Sequence, residues 1–194
     1  ERVRERVYYS VSRLLIVNVH DNYFVLFGLS KSFDLNKEAL ASRYRELQRQ
    51  YHPDRFAHHP EEQLKAVQWS SRLNTAYEAL NTPVNRASYL LELADHPISL
   101  NTSIADTDFL MSQLELREQL DEAETAEQLV SLGLEVEEWL ESLAREFVID
   151  YDEEDWLEAK DTVRKMHFMS NFLRDIRRRE DKLEDDYDDD EDLD

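Results

Sequence analysis

Glycine is almost absent from this chain: two of its 194 residues are glycine, four are proline and none is cysteine. A P-loop and a dinucleotide-binding fingerprint each need several glycines, so we expect neither. The absence of cysteine excludes disulfides, cysteine-type zinc sites, iron–sulfur ligands and a thiol nucleophile. Few helix-breaking residues, together with 35% charged residues, favour helices joined by short turns. The sequence therefore predicts an all-α protein.

The charge is distributed unevenly between the two halves of the chain. Residues 1–94 hold 13 basic and 11 acidic side chains, whereas residues 95–194 hold 10 basic and 33 acidic ones. The acidic second half argues against a nucleic-acid partner. Nine acids fall among residues 184–194, and because such a run repels itself, we predict a disordered acidic tail there. The alternative interpretation is that the negative charge of this tail attracts a basic partner.

The distribution of apolar residues does not indicate a membrane protein. No segment approaches the roughly 20 apolar residues that span a bilayer, so we expect no membrane partner and a cytoplasmic location. Residues 1–20 mix four arginines with two glutamates, and their apolar run, residues 14–17, is short. The short run disfavours a signal peptide and the glutamates disfavour a transit peptide. We expect residues 1–20 to be a leader or extension outside the fold.

The first half shows the pattern of a helical hairpin. A short apolar run at residues 23–27 is closed by Gly28, which suits a glycine C-cap. Asp34 is a candidate N-cap for the next helix. That helix should end near Tyr51, because Pro53 disfavours helical geometry in the residue before it. Its apolar stripe consists of Leu40, Tyr44, Leu47 and Tyr51.

Two prolines indicate where the following helices begin. Pro60 precedes two glutamates, as expected for the first turn of a helix. Thr82 and Pro83 fit the N-cap and first residue of another helix. The stripe predicted for the helix after Pro60 consists of Ala66, Trp69, Leu73, Tyr77 and Leu80.

The second half is predicted to be a three-helix antiparallel bundle. Polar and proline-containing sequence at residues 96–105 indicates a linker. Beyond it, amphipathic patterns extend over about Thr107–Glu124, Thr125–Phe147 and Glu153–Leu183, with short connections. The predicted organisation is a leader at 1–20, an N-terminal domain at 21–95, the linker at 96–105, the bundle at 106–183 and the tail at 184–194.

The tripeptide His52-Pro53-Asp54 is the most informative motif in the chain. A basic amphipathic helix precedes it, a second amphipathic helix follows it, and a short apolar helix lies about 25 residues upstream. This arrangement resembles the J-domain, the helical hairpin by which co-chaperones engage DnaK-type chaperone ATPases. The resemblance is carried by Tyr23-Phe24-Val25-Leu26-Phe27-Gly28-Leu29, Leu47-Gln48-Arg49-Gln50-Tyr51-His52-Pro53-Asp54 and Leu73-Asn74-Thr75-Ala76-Tyr77-Glu78-Ala79-Leu80.

The resemblance implies that the tripeptide contacts a chaperone. Pro53 removes a backbone donor and fixes one backbone angle of the loop. Positive charge beside the loop would steer it toward a negative partner surface. The alternative is a simple helix-ending turn in which Asp54 caps the next segment of the chain. The candidate chaperone-binding residues are His52, Pro53, Asp54, Arg43, Arg45, Arg49 and Arg55.

Three later segments narrow the resemblance to one branch of J-domain proteins. Residues 86–91, 109–118 and 161–166 are similar to the HscB family, the J-type co-chaperones of iron–sulfur cluster assembly. The likeness covers about residues 21–183 and is weak between 124 and 155. It implies a protein without catalysis, cofactor or metal, whose partners are the chaperone HscA and the cluster scaffold IscU. The implied scaffold-binding residues are Leu110, Met111, Leu114, Glu115, Glu118 and Phe168.

The helix predicted from Thr107 carries two apolar faces, although a surface helix needs only one. One face holds Phe109, Gln113, Leu116 and Leu120, and the other holds Leu110, Met111, Leu114 and Glu118. We expect the second face to be exposed, together with Phe168, which lies off the apolar stripe of its own helix. The alternative is that a bundle buries both faces.

Two other functions compete with this interpretation. His52, Asp54, His58 and His59 could be ligands of a metallohydrolase, but no helical His-x-x-x-His pair and no acid–base partner are present. A general J-domain co-chaperone, which delivers unfolded clients to a DnaK-type chaperone, is the stronger rival. Such a protein should accept many apolar peptides, whereas a scaffold adaptor should prefer one folded partner.

Overall fold

The computed structural model describes the backbone of residues 22–191 and the side chains of residues 22–183. Throughout this described range the chain is helical or irregular and has no strand, which confirms the all-α prediction. The chain divides into two compact units between Leu93 and Ala94. We number the helices α1 (Tyr23–Leu26), α2 (Lys37–Gln50), α3 (Pro60–Asn81), α4 (Pro83–Leu93), α5 (Thr107–Glu122), α6 (Ala126–Asp152) and α7 (Trp156–Glu191).

The helix ends of the first unit follow local side-chain chemistry. Gly28, after α1, has a φ of 66°, which confirms the expected glycine-specific turn. The prediction that Asp34 caps α2 is wrong. The cap is Asn36, whose Oδ1 accepts a hydrogen bond from the Ala39 amide at 2.9 Å. Because α2 begins at Lys37, the residue directly before it is the one placed to reach the first-turn amides.

A hydrophobic core joins α2 and α3 as a hairpin. Leu40 and Leu47 of α2 and Leu73 and Leu80 of α3 are buried. The Tyr44 ring stacks on Tyr77 of α3 at 4.2 Å. The predicted C-terminal end of α2 near Tyr51 and the predicted starts of α3 and α4 at their prolines are confirmed. The hairpin thereby presents the short segment between α2 and α3 at one end.

A buried arginine of α4 connects two other segments of the first unit. Arg86 is 4% exposed. Its Nε donates to the Phe33 carbonyl and its Nη1 to the Leu80 carbonyl, both at 2.6 Å. Burial lowers the pKa of Arg86, and the nearby Asp34 carboxylate partly opposes that shift. The guanidinium thus links the loop before α2 to the end of α3.

The second unit is a helical bundle in which successive helices are antiparallel. Gly133 of α6 lies near Leu173 and Ile176 of α7, whereas Asp150, seventeen residues later, bonds Thr162. Sequence numbers therefore rise along α6 as they fall along α7. Asp106, Phe109 and Arg117 contact Lys165, Phe168 and Asp175 in the same order, so the α5 segment is parallel to α7.

Two helices of the bundle extend beyond their predicted ends. Helix α6 begins after Thr125, as predicted, but continues past Phe147 to Asp152. Helix α7 continues past Leu183 to Glu191, and the disordered acidic tail at 184–194 stays a prediction. Extending an existing helix costs far less than starting one, and neither segment contains a glycine or proline to end it. Residues 192–194 and the predicted leader at 1–20 lie outside the described residues.

Within the part of the chain that the structure describes, no helix combines the length and apolar character needed to cross a membrane.

Candidate functional sites

The loop between α2 and α3 exposes the predicted tripeptide. Pro53 begins a short 3-10 helix, Pro53–Phe56, directly after His52. The His52 Nδ1 accepts a hydrogen bond from the Asp54 amide at 3.3 Å and caps this turn. The side chains of His52 and Asp54 are nevertheless 59% and 88% exposed. A partner can therefore reach both side chains while the backbone between them is held in one shape.

Three of the four predicted arginines gather beside this loop. An open cleft of about 680 Å³ is lined by Arg45, Gln48, Arg49, His52, Arg55 and Ser70. Arg55 Nη1 donates to the Arg49 carbonyl at 3.1 Å, and Arg49 Nε donates to the Arg45 carbonyl at 3.3 Å. These bonds hold the Arg49 and Arg55 side chains against the backbone of the last turns of α2. Arg43 does not line the cleft and instead pairs with Glu46 at 2.7 Å.

The second predicted site lies on α5, whose two apolar faces differ in burial. Phe109, Leu116 and Leu120 are buried. The face predicted to bind a partner is exposed, with Leu110, Met111 and Leu114 at 41%, 59% and 66%. Glu115 and Glu118 are exposed on the same helix. The bundle therefore leaves this apolar face uncovered within the second unit.

Phe168 is less exposed than the sequence predicted. Its ring meets Phe109 edge-on at 5.9 Å and stacks on Phe172 at 6.2 Å, which leaves it half-buried. These contacts still place Phe168 against the residue that precedes Leu110 in α5. We call Leu110, Met111, Leu114, Glu115, Glu118 and Phe168 the α5 patch.

A charged clamp fixes the start of α5 on α7 and with it the α5 patch. Asp106 accepts the Phe109 amide at 3.0 Å and the Lys165 ammonium at 2.7 Å. Asp161 adds a second carboxylate at 3.4 Å from Lys165. The hydrogen bond from Lys165, followed by that from Phe109, lowers the pKa of Asp106. Burial lowers the pKa of Lys165, but the two carboxylates outweigh it and the net shift is upward.

Sequence reasoning missed several residues that line or support these candidate sites. Gln48 and Ser70 line the basic cleft although neither is charged. The clamp between Asp106 and Lys165 joins residues 59 positions apart. A helical period can predict the polar face of one helix, but the pairing of two helices depends on their packing. No group of three metal-ligating side chains occurs among the residues described.

Two family models match the chain, one on each unit. A DnaJ domain model matches residues 22–89, and a model described as the HSCB C-terminal oligomerisation domain matches residues 105–177. The first match contains the exposed loop, and the second contains the α5 patch.

Curated relatives and solved structures agree with the family models. A co-chaperone protein HscB homolog from Acinetobacter baumannii is 48% identical over 167 residues, covering 86% of this chain and 95% of that protein. The structure of the chaperone HscB from Vibrio cholerae is 35% identical, with a TM-score of 0.75 over 84% of this chain and 99% of the other. The crystal structure of human co-chaperone protein HscB is 29% identical, with a TM-score of 0.77, and the match covers 84% of this chain and 83% of the human one.

Proposed function

We propose, since this chain belongs to the HscB family of J-domain co-chaperones, that it binds the iron–sulfur cluster scaffold IscU and delivers it to the chaperone HscA. In doing so it stimulates the chaperone's ATPase. The observation that carries the proposal is that one chain exposes two different surfaces. The first unit exposes a structured His-Pro-Asp loop beside a basic cleft, and the second exposes the α5 patch.

The loop and the cleft suit contact with a negatively charged surface. Arg45, Arg49 and Arg55 concentrate positive charge beside His52 and Asp54. Complementary charge speeds encounter and fixes orientation, while the loop supplies exposed hydrogen-bonding groups. We propose that these groups contact HscA and that Pro53 keeps the loop in the shape needed for this contact.

The α5 patch suits a folded partner. Leu110, Met111 and Leu114 offer an apolar centre, while Glu115 and Glu118 are exposed charges on the same helix. An apolar centre with a polar rim is the usual organisation of a specific protein interface. We propose that this surface binds IscU. A general client-binding protein would accept denatured polypeptides here, and a competition assay with a denatured protein separates the two functions.

The chaperone contact is tested by measuring the ATPase rate of HscA with and without this chain. We expect stimulation by the wild-type chain and none by His52→Gln or Asp54→Asn, because both side chains are exposed and available to a partner. Both variants should keep their helical circular dichroism and their affinity for IscU. The exposed cleft makes the contact sensitive to salt, so stimulation should weaken as ionic strength rises. Full stimulation by both variants would contradict the proposal.

The scaffold contact is tested by titrating IscU into the full chain. The combined variant Leu110→Ala, Leu114→Ala, Phe168→Ala should bind at least tenfold more weakly, because truncating central apolar residues commonly costs about 1–2 kcal/mol each. The matched control is Val130→Ala, Leu134→Ala on α6, since these side chains are 52% and 57% exposed outside the α5 patch. Equal losses in the two variants would contradict a specific patch. Displacement of IscU by a denatured protein would favour the general client-binding function.

A further inference from the structure

Basic residues are concentrated at one place in the acidic second half of the chain. Residues 95–194 carry a net charge of −23, from 10 basic and 33 acidic side chains. Five of those ten basic residues lie within nine positions of α7, residues 174–182. They are Arg174, Arg177, Arg178, Arg179 and Lys182.

Three of these cations share one face of α7 and border a pocket. Arg178, Arg179 and Lys182 follow Asp175 at spacings of three, four and seven residues, which places all four side chains on one face. With Leu120 and Asp121 of α5 they line an open pocket of about 370 Å³. We call Arg178, Arg179 and Lys182 the cationic pocket.

Among the side chains that line this pocket, three cations face two carboxylates, Asp121 and Asp175. Asp175 pairs with Arg117 Nη1 at 3.2 Å and with Arg178 Nη2 at 3.4 Å. Arg179 and Lys182 are exposed, and neither has an ion pair within 4.0 Å among the described side chains. Within the described side chains, these two cations are therefore available to a negatively charged group from outside.

The cationic pocket is continuous with the α5 patch. Phe168 of the patch stacks on Phe172 at 6.2 Å, and the Arg117 guanidinium lies 5.2 Å above the Phe172 ring. Arg117 then pairs with Asp175, which belongs to the pocket lining. An unbroken series of contacts thus follows the groove between α5 and α7 from the apolar patch to the cations.

We propose that the cationic pocket is a second part of the scaffold interface and binds a carboxylate-bearing segment of the folded scaffold. This inference rests on the proposed function, because it assumes that the scaffold occupies the α5 patch. A partner seated on that patch is already adjacent to the pocket, and exposed carboxylates would complement Arg179 and Lys182. A second copy of this chain is a poorer occupant, since two units of −23 would repel each other.

The test is a titration of the full chain with the purified scaffold at low and high salt. The variant Arg179→Gln, Lys182→Gln should bind about fivefold more weakly at low salt, as expected for the loss of two exposed charge pairs. The difference should shrink toward zero at 0.5 M salt, on the order of the concentrations that screen exposed charges. Arg179→Lys keeps the charge and should bind like the wild type.

The matched control removes two positive charges elsewhere in the same unit. Arg145 on α6 and Lys160 near the start of α7 do not line the pocket, so Arg145→Gln, Lys160→Gln should stay within about twofold of the wild type. If both double variants weaken binding equally, net charge explains the effect and the inference is wrong. The combined alanine variant of the α5 patch would still lose affinity in that case, so the proposed function would stand.

Two further outcomes overturn the inference. If the wild-type chain does not bind the scaffold at all, the proposed function and this inference both fail. The other possible occupant of the pocket is a second copy of the chain, and sedimentation velocity measures whether the chain self-associates. If Arg179→Gln, Lys182→Gln abolishes self-association but leaves scaffold affinity unchanged, the pocket belongs to an interface between copies of the chain.

Discussion

At the scale of single residues, His167 gives the second unit a dependence on pH. Burial, together with the positive charge of Arg174, lowers the pKa of His167 below its ordinary value of 6.5. The unfolded chain therefore binds the proton more readily than the folded chain. The contribution of neutral His167 to stability is fully present above the unfolded pKa of about 6.5 and is lost as the pH falls below it.

We expect His167→Gln to reduce the loss of stability between pH 7.5 and pH 5.5. Glutamine retains a hydrogen-bonding side chain beside Asn171, which lies 3.2 Å from the His167 Nε2, but it does not titrate. Urea unfolding of the second unit can be followed by the fluorescence of Trp139 and Trp156 in a Trp69→Phe background. The His58→Gln variant, altered in the first unit, is the control. Equal pH dependence in the His167→Gln variant and the wild type would contradict this assignment.

Some residue-level features were readable from sequence because they depend on local order. The exposed loop of His52 and Asp54 follows from Pro53, which ends one helix and starts a short turn. The role of Arg86 could not be predicted, because its carbonyl partner on Phe33 lies 53 positions away in the chain. The reduced exposure of Phe168 likewise depends on Phe109, a residue of another helix.

At the scale of elements, α5 contains two nearby leucines, one buried and one exposed. Leu116 is 3% exposed and Leu114 is 66% exposed, although they are two positions apart. Leu116→Ala should lower the free energy of unfolding by about 2–5 kcal/mol, because it removes buried methyl groups and leaves a cavity. Leu114→Ala should change it by less than about 0.5 kcal/mol. Urea unfolding measures both, and similar losses would show that the exposed face of α5 is part of the core.

Helix boundaries were predictable where one residue dominates the local chemistry. Thr125 caps α6 and exchanges hydrogen bonds with Gln128, so its start matched the prediction. The start of α2 was missed because Asp34 and Asn36 are both good caps and only the backbone path selects between them. The backbone of α7 continues beyond Leu183 because propagating a helix costs little and the following acidic residues include no glycine or proline.

At the scale of the whole molecule, the two halves of the chain differ in net charge and in the kind of surface that they expose. The first 94 residues carry a balance of +2 and the remainder carries −23. The basic cleft lies in the first unit, and the α5 patch lies in the second. This asymmetry was readable from the sequence, and so was the all-α class. The position of the α7 cations beside the α5 patch was not, because Arg117 of α5 reaches Asp175 of α7 only when the two helices pack together.

Because the two units are each compact, their activities should be separable. Residues 21–93 alone should stimulate the chaperone ATPase weakly, since they retain the loop and the cleft but bring no scaffold. Residues 94–194 alone should bind the scaffold with the affinity of the full chain and stimulate nothing. The full chain should stimulate most strongly with scaffold present, because tethering raises the local concentration of scaffold at the chaperone. Mixing the two separate units should not restore this effect. If the mixture matches the full chain, or if folded residues 94–194 fail to bind the scaffold, the adaptor function is wrong.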